Sequence, residues 1–352
     1  MNSFEYVRPA TIAEAVAAAA APGAAFLAGG TNLIDLMKGD VARPTRLVDV
    51  RVLPELDRIE RLPGGAVRIG ALVRNADLAH DPEFSRSFPA VAEALLSGAS
   101  AQVRNAATVG GNLLQRTRCA WFHDLASACN KRTPGAGCDA RRAGARGDAV
   151  LGWSEACIAT HPSDFCVPLV ALDAMVEIAG REGRREIPLD LLHRLPGDAP
   201  ERDNVLMPGD LIVAIRLPPE AATFAGHARY LKLRERTSFA FAVVSAAAAL
   251  RIVAGTIAAA RIALGSIAAK PRRARAAEDL LVGARPDSAA FRRAAEAALA
   301  EARPSGTDAV RIELARRIVV RALLLAAAGT LVRIPALPAS PFAPVPGAAA
   351  HA

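Results

Sequence analysis

Two short sequences of related form constrain this chain more than anything else in it. Leu27-Ala28-Gly29-Gly30-Thr31-Asn32-Leu33 reads as a strand running through a glycine pair into a helix start, and Thr108-Val109-Gly110-Gly111-Asn112-Leu113 again flanks a glycine pair with hydrogen-bonding side chains. Glycines let the backbone approach a ligand closely, and the amides of a helix N-terminus favour phosphate. Either turn alone is equally well an ordinary structural turn. Together, about eighty residues apart, they are what a pyrophosphate straddling two subdomains requires. The spacing is neither Gly-x-Gly-x-x-Gly nor a Walker pattern, so NAD is not the expected partner or acceptor.

Around these turns the chain reads as a small α/β unit, a second unit and a compact α+β domain. Thr11-Ile12-Ala13-Glu14 is a capping box ahead of an alanine-rich helix running to about Pro22. Ala24–Ala28 reads as a short buried strand, and Thr31 is placed to cap a helix through Asn32–Lys38. Arg46–Val50 and Ala66–Val73 read as strands, Asn75–His80 and Pro89–Leu96 as helices, Phe165–Met175 as an apolar segment and Pro208–Leu217 as a strand pair. Further on, Ala242–Val253 and Thr256–Ile267 read as a hairpin, and Arg272–Leu281, Ser288–Ala302 and Asp308–Leu331 as helices. The expected divisions are 1–55, 56–223 with an insertion over 114–160, 224–334, and a Pro/Ala-rich arm over 335–352.

The insertion changes character: it holds four of the five cysteines and keeps neither a helical nor a strand period. A structureless loop of this length is uncommon in a compact domain unless something orders it, and a metal centre would do so. Cys119, Cys129, Cys138 and Cys157 supply four thiolates, and Arg116, Arg118, Lys131 and Arg132 favour thiolates and a negative cluster. The absence of Cys-x-x-Cys argues against a zinc ribbon or a thioredoxin-like pair, with structural disulfides as the alternative. Cys166, inside Phe165-Cys166-Val167, reads as a buried core thiol. His123 and His161 flank the insertion as hydrogen-bonding residues or as tuners of a cluster, and Trp121, Phe122 and Trp153 as its apolar shield. Asp164, in His161-Pro162-Ser163-Asp164, is placed either to accept hydrogen bonds from a cofactor or to cap a helix before Phe165.

Several classes are excluded on composition. A chain with 52% hydrophobic and 22% charged residues is globular, and no apolar run reaches the roughly 18 residues of a membrane span; the best, Ile318–Val332, is broken by Arg321. The N-terminus shows no basic region followed by an apolar core, so no export signal is expected within it. The net charge of +8 is spread along the chain without a nucleic-acid motif, and reads as a basic face toward acidic partner subunits. With no Ser-His-Asp set and no paired catalytic carboxylates, no catalytic residue is expected.

The order Ala28-Gly29-Gly30-Thr31-Asn32-Leu33, Thr108-Val109-Gly110-Gly111-Asn112-Leu113, Pro162-Ser163-Asp164 resembles the FAD-binding subunits of the xanthine dehydrogenase and carbon monoxide dehydrogenase family, over about residues 3 to 330. The resemblance implies an α+β chain: a two-subdomain FAD-binding fold of the vanillyl-alcohol oxidase type, followed by a C-terminal domain of the carbon monoxide dehydrogenase flavoprotein type. It implies FAD held by Ala28, Gly29, Gly30, Thr31 and Asn32 at the pyrophosphate, by Thr108, Gly110, Gly111 and Asn112 along the cofactor, and by Asp164 at the flavin end, with Lys232 near the isoalloxazine. The insertion resembles that of the flavoprotein subunit of bacterial periplasmic aldehyde oxidoreductases. This implies a [4Fe–4S] cluster on Cys119, Cys129, Cys138 and Cys157. Also implied are a molybdopterin-binding large subunit, where aldehyde becomes carboxylate, and a [2Fe–2S] small subunit that feeds the FAD, which reduces an external acceptor. The compartment implied is the periplasm, reached through a partner's twin-arginine signal, with the cytoplasm as alternative. The flavoprotein subunit of a hydroxybenzoyl-CoA reductase, another hydroxylase of the family and a non-enzymatic metal-dependent scaffold are the rival readings.

Overall fold

The computed structural model describes residues 1–144, 148–306 and 309–331. The expected arm at 335–352 and the expected helix start at Asp308 lie outside the described residues. The capping box forms: Thr11 Oγ1 accepts from the Glu14 amide at 3.2 Å, and Glu14 reaches back to the Ala10 amide at 2.8 Å. The helix it starts, Ile12–Ala19, ends before Pro22 because the chain must turn into strand β2 (Ala24–Leu27). With β1 (Glu5–Val7) and β3 (Arg46–Asp49), β2 makes a parallel sheet in the order β1-β3-β2. Parallel neighbours need crossovers, which the helices Ile12–Ala19 and Leu33–Lys38 supply. β2 is half-buried rather than buried, because Ala25 and Phe26 face a cavity. Thr31 does not cap the second helix; Asn32 occupies that position and makes no side-chain cap.

The second unit is an antiparallel sheet built from β4 (Ile59–Arg61), β5 (Val67–Gly70), β6 (Met175–Gly180), β7 (Gly183–Pro188) and β8 (Leu211–Leu217), in the order β4-β5-β8-β6-β7. Pro208–Leu217 is thus one strand, not a pair. β8 lies at the centre, with Ile69 opposite Ile215 on one side and Val176 opposite Ile215 on the other. Phe165–Met175 resolves into a short helix, Cys166–Ala171, that breaks before β6. Phe84, Phe88, Val91, Leu95, Phe165 and Val167 complete this core. The helix Ile12–Ala19 packs through Ala15, Val16 and Ala19 on Leu211 and Val213, so the first unit is bound to the second through β8.

The last unit is a four-stranded antiparallel sheet of β9 (Ala228–Leu233), β10 (Val244–Val253), β11 (Thr256–Gly265) and β12 (Arg272–Arg273). β10 and β11 are the expected hairpin. Alanines 246 and 248 on β10 keep the sheet low enough for the helix Val310–Ala327 to seat Ala315, Val319, Ala322 and Ala326 against it. The expected helix Arg272–Leu281 begins instead as β12, and its helical part is Arg275–Leu281. Ser288–Ala302 ends at Ala298, and the last helix ends at Ala327 rather than Leu331. No helix among the described residues is long and apolar enough to cross a membrane.

Candidate functional site

The two glycine turns stand back to back. A Cβ on Gly29 would lie 2.2 Å from the carbonyl oxygen of Ala106, just ahead of the second turn, and one on Gly110 would lie 2.8 Å from the Ala71 Cβ. Glycine is therefore required by close backbone approach at both positions. A cavity of about 1250 Å³ opens in front of them, lined by Ala28, Gly29, Gly30, Thr31, Asn32, Thr108, Gly110 and Gly111. Thr31, Asn32 and Gly111 also border a second cavity of about 620 Å³, whose far wall holds Asn112 and Asp164. The two cavities form one cleft across the first and second units.

The turns differ in what they offer a ligand. In the second turn the amides of Val109 and Gly110 donate to the carbonyls of Val73 and Ala71, each at 2.9 Å, and that of Gly111 to Thr108 Oγ1 at 3.2 Å. The expectation of a phosphate-binding helix start there is corrected: these amides are already engaged. Among the described residues, none of the amides of Gly29, Gly30, Thr31 and Asn32 donates to a protein acceptor. The unengaged amides thus belong to the first turn. Buried polar atoms without partners face the same cleft: Asn32 Nδ2, a donor, and Asn75 Oδ1, an acceptor. Such atoms call for a ligand or water.

At the far end, Asp164 does not cap a helix. Its carboxylate accepts from the Tyr230 hydroxyl and from Lys232 Nζ, the latter at 2.7 Å, while the Cys166 amide is taken by Ser163 Oγ. Lys232 lies behind Asp164, also donating to the Ser97 carbonyl, and lines neither cavity. It therefore orients the carboxylate rather than facing the cleft. Burial first, and then the Asp164 charge, push the Tyr230 hydroxyl well above its usual range, so Tyr230 remains a donor. Sequence reasoning did not single out Tyr230 or the pair beneath it. Glu93 accepts from Arg229 Nε at 2.9 Å and from the Tyr230 amide at 2.6 Å, fixing β9 to the helix Pro89–Ser97.

Cys119, Cys129, Cys138 and Cys157 converge on one small cavity, walled also by Trp121 and Phe122. Cys129 and Cys138 face each other across an isolated antiparallel bridge, and Cys119 and Cys138 stand at the starts of the short helices Ala120–His123 and Asp139–Arg142. The Ala159 amide donates to Cys157 Sγ at 3.5 Å. Asn130 ties the segments together, exchanging hydrogen bonds with Gly137 and donating to the Ala156 carbonyl. Trp153 packs with Cys119 and Cys138 on the outer side. Of the four basic residues expected to favour thiolates, Lys131 does so at Cys157; Arg132 instead donates to the carbonyls of Trp121 and Phe122. Arg116 and Arg118 pair with Asp203 and Asp35. Burial pushes the Cys119 thiol up to about 11 and raises that of Cys157, so four thiolates here need a compensating cation or cluster.

No three of the four sulfurs lie within 4.8 Å of one another. A tetrahedral zinc with Zn–S of about 2.3 Å draws its sulfurs to about 3.8 Å from one another. Among the described residues, the only three His, Cys or carboxylate ligand atoms within 4.8 Å of one another belong to His161, Cys166 and His193. None of these three is a cage cysteine, and burial above all keeps the two imidazoles neutral. His161 thus packs against His193, with ring centroids 4.4 Å apart, and His123 bonds to the Thr117 carbonyl. Cys166 is fully buried in the core.

Comparison with known proteins decides the family. Residues 2–220 match the FAD binding domain in molybdopterin dehydrogenase, and residues 229–326 the CO dehydrogenase flavoprotein C-terminal domain. The chain belongs to the FAD-binding subunits of the molybdenum hydroxylases. It is 46% identical over 325 residues to the aldehyde oxidoreductase FAD-binding subunit PaoB of Escherichia coli, covering 92% of this chain and 98% of that one. It is 30% identical to the carbon monoxide dehydrogenase medium chain of Hydrogenophaga pseudoflava, covering 91% and 96%. In structure it is similar to the carbon monoxide dehydrogenase from Hydrogenophaga pseudoflava, with a TM-score of 0.73 at 29% identity over 93% of this chain and 98% of that one. Reconstituted CO dehydrogenase from Oligotropha carboxidovorans matches with a TM-score of 0.74 at 27% identity, over 94% and 99%.

The cleft of this flavoprotein subunit fits the cofactor of its family. The first turn offers free amides for a pyrophosphate, Asn32 Nδ2 and Asn75 Oδ1 are unpartnered where an extended cofactor would run, and Asp164 presents an oriented acceptor at the far end. The second turn contributes a close wall, with Asn112 Oδ1 occupied by Gln115 and Ser163.

Proposed function

We propose that this chain is the FAD- and [4Fe–4S]-containing electron-transfer subunit of a molybdenum-dependent aldehyde oxidoreductase. In this reading it works with a molybdopterin-binding large subunit and a [2Fe–2S] small subunit, taking electrons from the latter and delivering them to an external acceptor. The aldehyde assignment is supported by the 46% identity to an aldehyde oxidoreductase FAD-binding subunit over nearly both full lengths. The observation that carries the additional cluster is the convergence of Cys119, Cys129, Cys138 and Cys157 on one cavity, with no three of their sulfurs within 4.8 Å of one another. Assembly in the periplasm, reached through a partner's signal, belongs to the same reading.

Bound FAD would supply the one- and two-electron chemistry of the site. The chain's own residues hold and orient it. The free amides at Gly29–Asn32 receive the pyrophosphate, Gly110 and Gly111 admit the cofactor along the second turn, and Asn32 and Asn75 complete their hydrogen bonds on it. Asp164, paired with Lys232 and aimed by Tyr230, would accept from the flavin end. The four cysteines would hold the cluster, and Trp121 and Phe122 limit the access of water to it.

The test uses the reconstituted complex and the separate chain. Aldehyde should bleach the flavin absorbance of the complex anaerobically, and the isolated chain should show neither bleaching nor aldehyde turnover. Aldehyde oxidation by the isolated chain, after rigorous removal of partners, would overturn the subunit reading. A complex that ignores aldehydes but oxidises another substrate class would overturn the aldehyde assignment alone.

A further inference from the structure

The helix Leu33–Lys38, which carries the first glycine turn at its start, rests on the cysteine cage at three points. Its Leu36 is buried in one apolar cluster with Phe122 and Cys129, against which Cys119 also packs. Its Asp35 pairs with Arg118 at 2.7 Å, one residue before Cys119. Asn32, at the helix start, accepts from the backbone amide of Arg116 through Oδ1 at 3.0 Å, and this leaves its Nδ2 directed to the cleft.

Arg116 is the residue common to both sides. It lines the cleft together with the first turn, yet its guanidinium reaches away from it. Nε donates to Asp203 Oδ2 at 2.6 Å, Nη2 to the Lys131 carbonyl at 3.5 Å, and the planar group lies 4.7 Å from the centre of the Phe122 ring. Asp203 in turn accepts from Lys131 Nζ at 2.5 Å, and Lys131 is two residues from Cys129 and acts electrostatically on Cys157. A planar fork held on a carboxylate and an aromatic face has few alternative placements. Displacing Phe122 or Lys131 therefore moves Arg116, and with it the side chain of Asn32.

We propose that Arg116 is a positioning residue through which the cysteine cage holds the first glycine turn in its flavin-binding shape, so that a filled cage tightens the binding of FAD. This rests on reading the cage as a cluster site. Coupling of this kind is reciprocal, so bound FAD also stabilises the filled cage.

The experiment is a thermodynamic cycle on the full-length chain purified anaerobically. Iron content and the Kd for FAD are measured before and after removal of iron by a chelator, with circular dichroism as the control for folding. In the wild type, iron removal should weaken FAD binding on the order of tenfold. In Arg116→Met the Kd should already be raised with iron retained, and iron removal should change it little further. Arg116→Lys, which keeps the charge on Asp203 but loses the planar fork, should fall between the two. Should Arg116→Met not fold, Asp203→Asn loosens the guanidinium that anchors the Arg116 backbone against Asn32, and should show the same weakened dependence on iron. A wild-type chain that holds iron and binds FAD equally well without it overturns the coupling but not the cluster. An Arg116 variant in which iron removal keeps its full effect overturns the role of Arg116. A wild-type chain without iron overturns the cage reading, and the coupling with it.

Discussion

Gly29 has no room for a side chain, because any Cβ would meet the Ala106 carbonyl, and Gly110 is held against Ala71, less tightly. Gly29→Ala should drive the two turns apart at a cost of about 1–3 kcal/mol, the usual range for overpacking. Gly110→Leu should fill the wall of the cleft as well. Both variants should purify with little flavin, read as absorbance per chain, and normal flavin content in both would contradict the placement of the cofactor. The glycine pairs were legible in the sequence because their requirement is local. What the sequence could not reveal is that the second turn has already used its amides on Val73, Ala71 and Thr108, since these partners depend on the packing of β5. Arg116 and Asp203 are equally illegible, being 87 residues apart. The histidine pair gives a pH dependence. Burial is the largest cause holding His161 well below, and His193 below, the ordinary value of 6.5. Neutral imidazoles are thus favoured in the fold. Their contribution is fully present above pH 6.5 and is lost as the pH falls toward the depressed folded values, by up to about 1.4 kcal/mol per pH unit for each. The apparent Tm should fall from pH 7 to pH 5, and His193→Gln should flatten that fall; an unchanged slope would show that the pair is not responsible.

The orientation of Asp164 depends on β9, and β9 depends on Glu93. Burial is the largest influence on this carboxyl and raises its pKa, opposed by Arg229 and by the Tyr230 amide. Glu93→Ala leaves the Arg229 guanidinium buried without its partner, which costs about 3–5 kcal/mol. The variant should melt earlier and hold its flavin more weakly, because Tyr230 and Lys232 lose their register against Asp164. Unchanged flavin affinity at reduced stability would separate the two effects and remove β9 from the flavin end. Among the larger elements, the β10–β11 hairpin was readable from its two alternating runs about a short turn. The central place of β8 was not, because its neighbours β5 and β6 come from distant segments. The single strand at Leu211–Leu217 and the short β12 were misread because period-based reasoning does not see which edge a segment will join.

Three sheets are joined so that one cleft runs over the first two, the third stands behind its far end with Tyr230 and Lys232 on Asp164, and the cysteine insertion backs the first glycine turn. The family was legible because its glycine turns and Pro-Ser-Asp segment are contiguous. The insertion was legible through its four cysteines and its resemblance, on a composition without periodicity. Its organisation came from contacts such as Asn130 to Ala156 and Lys131 to Asp203, which no local pattern encodes. In the proposed reading, a cluster on the four thiols would add ordering free energy to these contacts. The most direct test is iron and acid-labile sulfide per anaerobically purified chain, in the wild type and in Ser variants of Cys119, Cys129, Cys138, Cys157 and Cys166. The wild type should contain iron and sulfide in the proportion of a [4Fe–4S] cubane, each of the first four variants should lose it, and Cys166→Ser should retain it. Zinc or no metal in the wild type, or loss of the cluster in Cys166→Ser with retention in Cys157→Ser, would contradict the account.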